Sequence, residues 1–248
     1  MQFPKTIYEL KKQARQTLGR NPRNWWVMGL IPTLVLMFLL YFIMQMATNL
    51  LNQMPANLNY EQLYTWIQKS LANSPQIFWY SLEGQLAYAL VSIGVSFCLL
   101  DELRGRVKPQ QAQISASLQV FSRPYFLRVI VLWLSYYLVF ELGLQLFWLF
   151  GLYFSYGLRL TYLILMDLTQ SQKVTWKQTF KTLWYSWKMM HGHKFRLFML
   201  DLSFLGWDLL NLLTLGLTNL YVAPYKAACY AAFYQDILNL QMKARYQK

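Results

Sequence analysis

Charged residues are scarce in this chain. They make up 13% of its 248 residues, whereas hydrophobic residues make up 56% and aromatic residues 18%. Soluble domains carry about 25% charged residues, so this chain lacks the charge to cover a water-facing surface of its size. A disordered chain is excluded as well, because disorder requires low hydrophobicity and few aromatic residues. The composition is that of a membrane protein.

Acidic residues are the scarcer of the two charge types. The chain has 10 Asp and Glu against 23 Lys and Arg, which gives a formal charge of +13. On a soluble protein, such a charge would point to nucleic acid. On a chain this apolar it points instead to a bilayer with the cations on its cytoplasmic face, and we expect no nucleic-acid partner.

Cysteine and histidine are nearly absent, with two residues of each. Cys98 and Cys229 lie inside apolar runs, which predicts that they pack as small hydrophobes and form neither a disulfide nor a metal site. His191 and His193 stand two residues apart and do not share a helix face, which disfavours a helical zinc pair. The sequence also has no phosphate-binding glycine loop, so we expect no cofactor, no metal and no catalysis. A membrane hydrolase that uses one of these histidines with Asp201 is the alternative.

Long apolar stretches are what the sequence has instead. Six are long enough, singly or as hairpins, to cross a hydrocarbon core of about 30 Å. They run approximately over Trp26–Met46, Ile77–Leu100, Val129–Phe150, Leu152–Met166, Leu197–Leu215 and Leu217–Ile237. We therefore predict an all-α, polytopic membrane helix bundle with about six transmembrane helices. The fourth stretch is short and follows a tight turn, so five spans and a re-entrant hairpin remain an alternative.

The cations predict the orientation of these spans. Of the 23 Lys and Arg residues, 20 fall in the termini and in alternate connections that share one side, and the opposite side holds Lys69 alone. Cytoplasmic loops are enriched in Lys and Arg, so this asymmetry predicts a multi-pass protein with its N- and C-termini in the cytoplasm.

An amphipathic helix is predicted from Thr175 to Met190. At 100° per residue, its lysines fall within about 40° of each other, and its aromatic residues are predicted on the opposite side. The lysines are Lys177, Lys181 and Lys188, and the apolar residues are Trp176, Phe180, Leu183, Trp184, Trp187 and Met190. Thr175 and Gln178 form a plausible capping box. Such a helix lies in the membrane interface, with its lysines toward anionic lipid headgroups.

Further amphipathic segments suggest how the single membrane domain, residues 1–248, is organised. They cover Lys5–Leu18, more weakly Gln110–Phe121, and Asn59–Leu71 in the outer loop. Three units follow, each an interfacial helix and then a hairpin: residues 5–100, 110–168 and 175–238. The second and third units repeat one charge pattern at an offset of 67 residues, and whether this reflects an ancient repeat stays open.

That charge pattern consists of two acid–base pairs inside apolar stretches. An unpaired charge at membrane depth costs at least about 2.5–3.5 kcal/mol, so each such residue needs a partner. Turns near Phe150 and Leu217 would place Glu141 at the depth of Arg159, and Asp208 at the depth of Lys226. We predict both ion pairs. They either hold the bundle together or line a polar cavity that binds a substrate or relays protons.

The last third of the chain resembles a known family. The residues that carry the likeness are Ser186, Met190, Gly192, Lys194, Leu202-Ser203-Phe204, Gly206-Trp207, Thr214-Leu215-Gly216, Pro224-Tyr225 and Phe233-Tyr234, with Leu10-Lys11-Lys12, Ala14-Arg15, Leu18-Gly19 and Asn21 near the start. They look like the motifs of a bacterial integral membrane family, found largely in Firmicutes and catalogued as domain of unknown function 975. The resemblance implies a polytopic protein of the bacterial plasma membrane and no catalytic residues. Where the family often has Pro-Gly closing the third span, this chain has Gly151 without a proline.

Two functions remain as hypotheses ahead of an enzyme. The first is a non-enzymatic membrane protein that associates with anionic lipid, with a membrane protein partner or with further copies of itself. The alternative is a small transporter or lipid-handling protein that uses the charge cluster of Glu141, Arg159, Asp208 and Lys226. A cavity lined by these charges would favour the alternative, and a cluster sealed by packing would end it.

Overall fold

The computed structural model describes residues 4–19, 22–55, 57, 59–106 and 117–246. Helices build this part of the chain, and none of the described residues lies in a strand, which confirms the predicted all-α fold. The helices are α1 Ile7–Gly19, α2 Pro22–Asn52, α3 Tyr60–Ala72, α4 Pro75–Leu103, a 3-10 helix Leu118–Phe121, α5 Phe126–Leu146, α6 Trp148–Leu158, α7 Thr161–Ser171, α8 Trp176–Met189, α9 Lys194–Leu202, α10 Leu205–Leu213 and α11 Asn219–Tyr246.

Four helical runs are long and apolar enough to cross a membrane. They are Trp26–Asn52, Pro75–Leu103, Phe126–Leu146 and Trp148–Ser171, and they coincide with the first four predicted spans. The predicted fifth span is divided into α9 and α10, each nine residues long. All but the first two residues of the sixth, which begins at Leu217, lie within the 28-residue helix α11, which also carries polar side chains. The count of six therefore stays a prediction.

The turn between the third and fourth spans differs from the predicted one. Phe147 alone separates α5 from α6, with an extended backbone at φ −170° and ψ 128°. The turn therefore lies three residues before the expected position near Phe150. Gly143 and Gly151 face each other across it, and a Cβ on Gly143 would lie 2.7 Å from the Cα of Gly151. Since two glycines allow this approach, the hairpin needs no proline.

The central helix of the bundle is α11, which packs against α1, α2 and α4. Its contact face consists of Ala227, Ala228, Ala231 and Ala232, of which the last three are fully buried. Small residues let helix backbones approach where lipid removes the hydrophobic driving force. On α2, Gly29 approaches the backbone of α11 so closely that a side chain would not fit. This small-residue face thus positions the polar residues that α11 also carries.

Some predictions lie outside the described residues. They are most of the weak amphipathic segment Gln110–Phe121 with the start of the second unit, and the cations Arg20, Lys108 and Lys248. The division into units stays a prediction.

Candidate functional site

Asp208 and Lys226 form the ion pair that the sequence predicts. The Lys226 Nζ lies 2.5 Å from Oδ1 of Asp208. A turn joins α10 to α11, and Leu215 and Gly216 adopt positive φ values of 49° and 91° within it. Asp208 precedes Gly216 by eight residues and Lys226 follows it by ten, so the two side chains reach nearly the same height.

Glu141 and Arg159 do not form the second predicted pair. None of the ion pairs between described residues joins them. With the turn at Phe147, Glu141 stands six residues before it and Arg159 twelve residues after it. At about 1.5 Å per residue, the two side chains differ in height by about 9 Å. Glu141 lies instead beside Tyr137, one turn earlier on α5.

Arg159 binds a tyrosine, Tyr230, instead of the acidic residue that the sequence predicts. Its guanidinium donates a hydrogen bond of 3.2 Å to the hydroxyl of Tyr230 and lies 5.0 Å from the centre of that ring. The same hydroxyl donates to Asp201 at 2.5 Å. Tyr230 thus connects the cation to Asp201, and none of the described hydrogen bonds or ion pairs joins Asp201 to His191 or His193. Asp201 therefore has Tyr230 as a partner, and the histidine-based hydrolase stays an untested alternative.

Arg159 lines two adjoining cavities. One has a volume of about 330 Å³ and lies between α2, α4, α10 and α11, and the other, of about 290 Å³, lies between α4, α5, α7 and α11. Both are lined by Tyr88, Ser92, Ser96, Arg159 and Tyr230. The larger one also contains Asp208, Lys226, Asn211 and Asn219 in its lining. Three of the four predicted charges therefore line one polar cavity, and Glu141 does not.

Several polar atoms at this cavity have no hydrogen-bond partner among the described residues. They are the Oγ of Ser92, the Oδ1 of Asn211 and the Nδ2 of Asn219. Asn219 is only 4% exposed, and Tyr88 lies near both it and Ser92 without a hydrogen bond of normal geometry to either unpartnered atom. Buried polar groups of folded proteins are nearly always paired, so these three atoms leave unused hydrogen-bonding capacity at the wall of the cavity.

Helix α8 presents three faces where the sequence predicted two. Thr179, Thr182 and Ser186 are fully buried and attach the helix to the bundle, and Ser186 Oγ donates to the carbonyl of Gly157 at 2.9 Å. The capping box at its start is present, with the Thr175 N–H donating to Gln178 Oε1 at 2.8 Å.

The aromatic and lysine faces of α8 lie side by side. Lys177, Lys181 and Lys188 are exposed, as are Trp176, Phe180 and Trp184 at 50, 49 and 59%. The Lys188 Nζ lies 5.2 Å from the centre of the Trp184 ring, so the prediction of opposite faces is wrong. The bundle occupies the third face, and both remaining faces are left for the surroundings.

Trp187 has another role than the one predicted for it. Its ring stacks on Phe154 at 5.2 Å, lies against Gly157, and receives the Lys194 Nζ at 3.4 Å from its centre. These contacts make Trp187 part of the packing between α8 and α6. Of the three tryptophans predicted for the membrane interface on α8, Trp176 and Trp184 are exposed.

Two ion pairs that the sequence did not predict join the helices where the basic segments meet. Arg104 binds Asp167 through two hydrogen bonds of 2.5 and 3.0 Å, and Tyr234 donates to the same carboxylate at 2.8 Å. Burial opposes the charge on Arg104, but the hydrogen bonds and charge of Asp167 outweigh it and raise the pKa of Arg104. Arg196 pairs with Asp236, which also accepts the N–H of Lys5. The sequence held one signal for these pairs: Asp167 and Asp236 are acidic residues near the ends of apolar stretches.

Metal binding has no candidate residues in the part of the chain that the structure describes. No three His, Cys, Asp or Glu side chains there are grouped closely enough to hold an ion. What the site offers is one ion pair, one guanidinium and unpaired polar atoms around a cavity.

Comparisons with known proteins bear on the same part of the chain. No curated protein and no solved structure matches it. A family model does match, over residues 149–241, and its description is protein of unknown function (DUF975). The match includes the closing motif, Arg159 and the pair of Asp208 and Lys226. Residues 149–241 therefore match the DUF975 family, as the motifs in the last third of the chain predicted.

Proposed function

We propose that this protein is a multi-pass protein of the bacterial plasma membrane, with both termini in the cytoplasm, that binds anionic lipid headgroups without catalysing a reaction. The observation that carries the proposal is the pair of exposed faces on α8, one aromatic and one cationic. Binding to a membrane partner through the same surface is the related form of this function.

The arrangement of α8 suits a membrane interface. Indole and phenyl rings at the level of the headgroups bury apolar area and keep polar edges in water. Each lysine near an anionic surface contributes about 1 kcal/mol of attraction. Because the third face of α8 is fixed to the bundle, the aromatic side chains and lysines keep one height relative to the spans.

Lipid retention tests this proposal. The full chain is reconstituted in bilayers of equal parts phosphatidylglycerol and phosphatidylcholine, extracted in a neutral detergent, and the retained lipids are quantified by mass spectrometry. We expect an excess of phosphatidylglycerol over the bulk ratio. The combined substitution Lys177→Gln, Lys181→Gln and Lys188→Gln should return the ratio to that of the bulk.

Lys69→Gln is the matched control, since it removes the cation of α3, which is predicted to lie on the opposite side of the membrane. It should leave the lipid ratio of the wild type unchanged. An unchanged excess in the triple variant would remove lipid recognition by α8 from the proposal.

A small transporter or lipid-handling protein is the second candidate, and the polar cavity favours it. Charged side chains that line a cavity at membrane depth are typical of substrate and ion pathways. Ser96→Cys, in a background with Cys98→Ala and Cys229→Ala, reports access to this cavity from water. Reaction with a membrane-impermeant maleimide is expected, with Leu100→Cys, at a fully buried position, as the unreactive control. A Ser96→Cys protein that stays unlabelled would exclude this candidate.

A further inference from the structure

We infer that the larger cavity is a binding site for an oxyanion, the phosphate or carboxylate group of a small amphiphilic molecule, held by Arg159 and Asn219. The inference uses the cavity that favours the second candidate function and names its ligand class. It is independent of lipid binding by α8, which lies outside this cavity.

The charges around the cavity define its sign. Lys226 is neutralised by Asp208 at 2.5 Å. Arg159 forms no ion pair with any carboxylate of the described residues, and Asp201 approaches it only through the hydroxyl of Tyr230. The lining therefore carries one guanidinium whose charge is not directly compensated.

Arg159 also has donors to spare. A guanidinium carries five N–H groups in a planar fork that matches the two oxygens of a carboxylate or phosphate. Of its contacts with described side chains, one is a hydrogen bond, to Tyr230. The remaining N–H groups belong to a side chain that lines both cavities, so they are available to an oxyanion there.

Asn219 supplies a second donor. Its amide Nδ2 makes no hydrogen bond of normal geometry with a described residue, the nearby Tyr88 hydroxyl included, and the residue is 4% exposed. A buried amide that makes no hydrogen bond destabilises the folded protein, and a hydrogen bond to a ligand oxygen would relieve that cost. Ser92, on the facing helix α4, adds a buried hydroxyl whose oxygen also has no hydrogen-bond partner among the described residues.

The remaining wall of the cavity is apolar. Its residues from α2 are Pro32 and Leu36, and α4 and α11 add Val95 and Val222. A volume of about 330 Å³ is at the lower end for small-molecule sites, which suits a single head group with a short apolar part. A phospholipid head and a soluble organic phosphate share this chemistry.

Calorimetric titration of the full chain in a neutral detergent tests the inference. The probes are inorganic phosphate, dihexanoyl phosphatidate and succinate, with uncharged dihexanoylglycerol as the control ligand. We expect at least one anionic probe to bind and the uncharged one not to bind. Binding of phosphatidate alone assigns the site to a lipid head, and binding of phosphate or succinate assigns it to a soluble oxyanion.

Two variants assign the binding to the cavity. Arg159→Gln should lower the affinity for the bound probe about tenfold or more, because it removes a charge-assisted bidentate contact. Asn219→Ala should weaken it by about fivefold, without lowering the unfolding midpoint of the ligand-free protein, since it removes an unpaired buried amide. Arg106→Gln is the matched control, at an exposed position outside the cavity, and should keep the affinity of the wild type.

Several outcomes would overturn the inference. One is that no anionic probe binds, or that dihexanoylglycerol binds equally well. Another is that Arg159→Gln and Asn219→Ala keep the wild-type affinity, and if Arg159→Gln does not fold, Asn219→Ala decides alone. Loss of probe binding in the Lys177, Lys181 and Lys188 variant, with binding kept in Arg159→Gln, would place the anion at α8 instead. Failure of the α8 proposal leaves the cavity result untouched.

Discussion

Lys226 Nζ lies 2.5 Å from Oδ1 of Asp208, eighteen residues earlier in the chain. The pair stands at the side of the cavity that α10 and α11 form, and Arg159 lies in the same lining. Arg159 and Glu141 are also eighteen residues apart, yet only the former reaches the cavity, because the turn between their helices is displaced.

A double-mutant cycle measures the pair of Asp208 and Lys226. We expect Asp208→Asn and Lys226→Gln each to lower the free energy of unfolding by about 1–2 kcal/mol, since each leaves a charge without its partner. The double variant should lose about 1 kcal/mol less than the two single losses combined. Unfolding midpoints in detergent, followed by circular dichroism, give these values.

Glu141→Gln is the control for that cycle, as the same change from acid to amide at a residue without an ion pair among those described. Its loss of stability should stay below about 0.5 kcal/mol. Strictly additive losses in the cycle, or a loss at Glu141 as large as that at Asp208, would contradict the assignment.

Asp167→Asn should destabilise the protein more than the loss of an exposed ion pair does. It leaves Arg104, whose side chain is 12% exposed, without its bidentate partner. Removing one member of a largely buried pair costs about 3 kcal/mol. Arg106→Gln breaks only the exposed pair with Asp101 at 3.7 Å and should cost less than about 1 kcal/mol. Thermal unfolding of both variants decides this, and the reverse ranking is the result that would refute it.

The stability of the protein should decrease when the pH is lowered, because of His193. Burial and the charge of Arg196 lower the pKa of His193 below its ordinary value of 6.5, and Asp236 opposes them only in part. Below pH 6.5 the unfolded chain takes up a proton that the folded protein resists, so the stabilising contribution is complete above 6.5 and is lost on acidification. Unfolding midpoints across this range should show a weaker pH dependence in His193→Asn, and the exposed His191→Asn should keep that of the wild type.

Gly143→Ala tests the close approach of α5 and α6. Its Cβ would lie 2.7 Å from the backbone of Gly151, so the hairpin must open. We expect a loss of about 1–3 kcal/mol, as for overpacked interiors. Gly206→Ala is the matched change, because its Cβ meets nothing within 4 Å, and it should be neutral or stabilising by up to about 1 kcal/mol. Equal effects of the two substitutions on the unfolding midpoint would argue against this packing.

Helix α8 shows which structural features the periodicity of the sequence predicts and which it does not. The spacing of its lysines and aromatic residues predicts their clustering, and both groups are exposed. The spacing does not show which side meets the bundle, because Thr179, Thr182 and Ser186 read as neutral positions. Burial of that third face, together with Gly157 under Trp187, depends on the neighbouring helix.

The sequence by itself determined the all-α fold class, the match of residues 149–241 to the DUF975 family, four apolar helical runs and the ion pair of Asp208 with Lys226. These follow from the composition, from the motifs, and from the turn near Leu217, whose position the sequence predicts correctly. Only the tertiary structure decided the partners of Arg159, the role of Trp187 and the ion pairs of Asp167 and Asp236. The physical reason is that a turn displaced by three residues moves a side chain by about 4.5 Å along its helix and turns it to another face. Which side chains pair between helices depends on such changes in height and orientation, and the periodicity of the local sequence does not predict them.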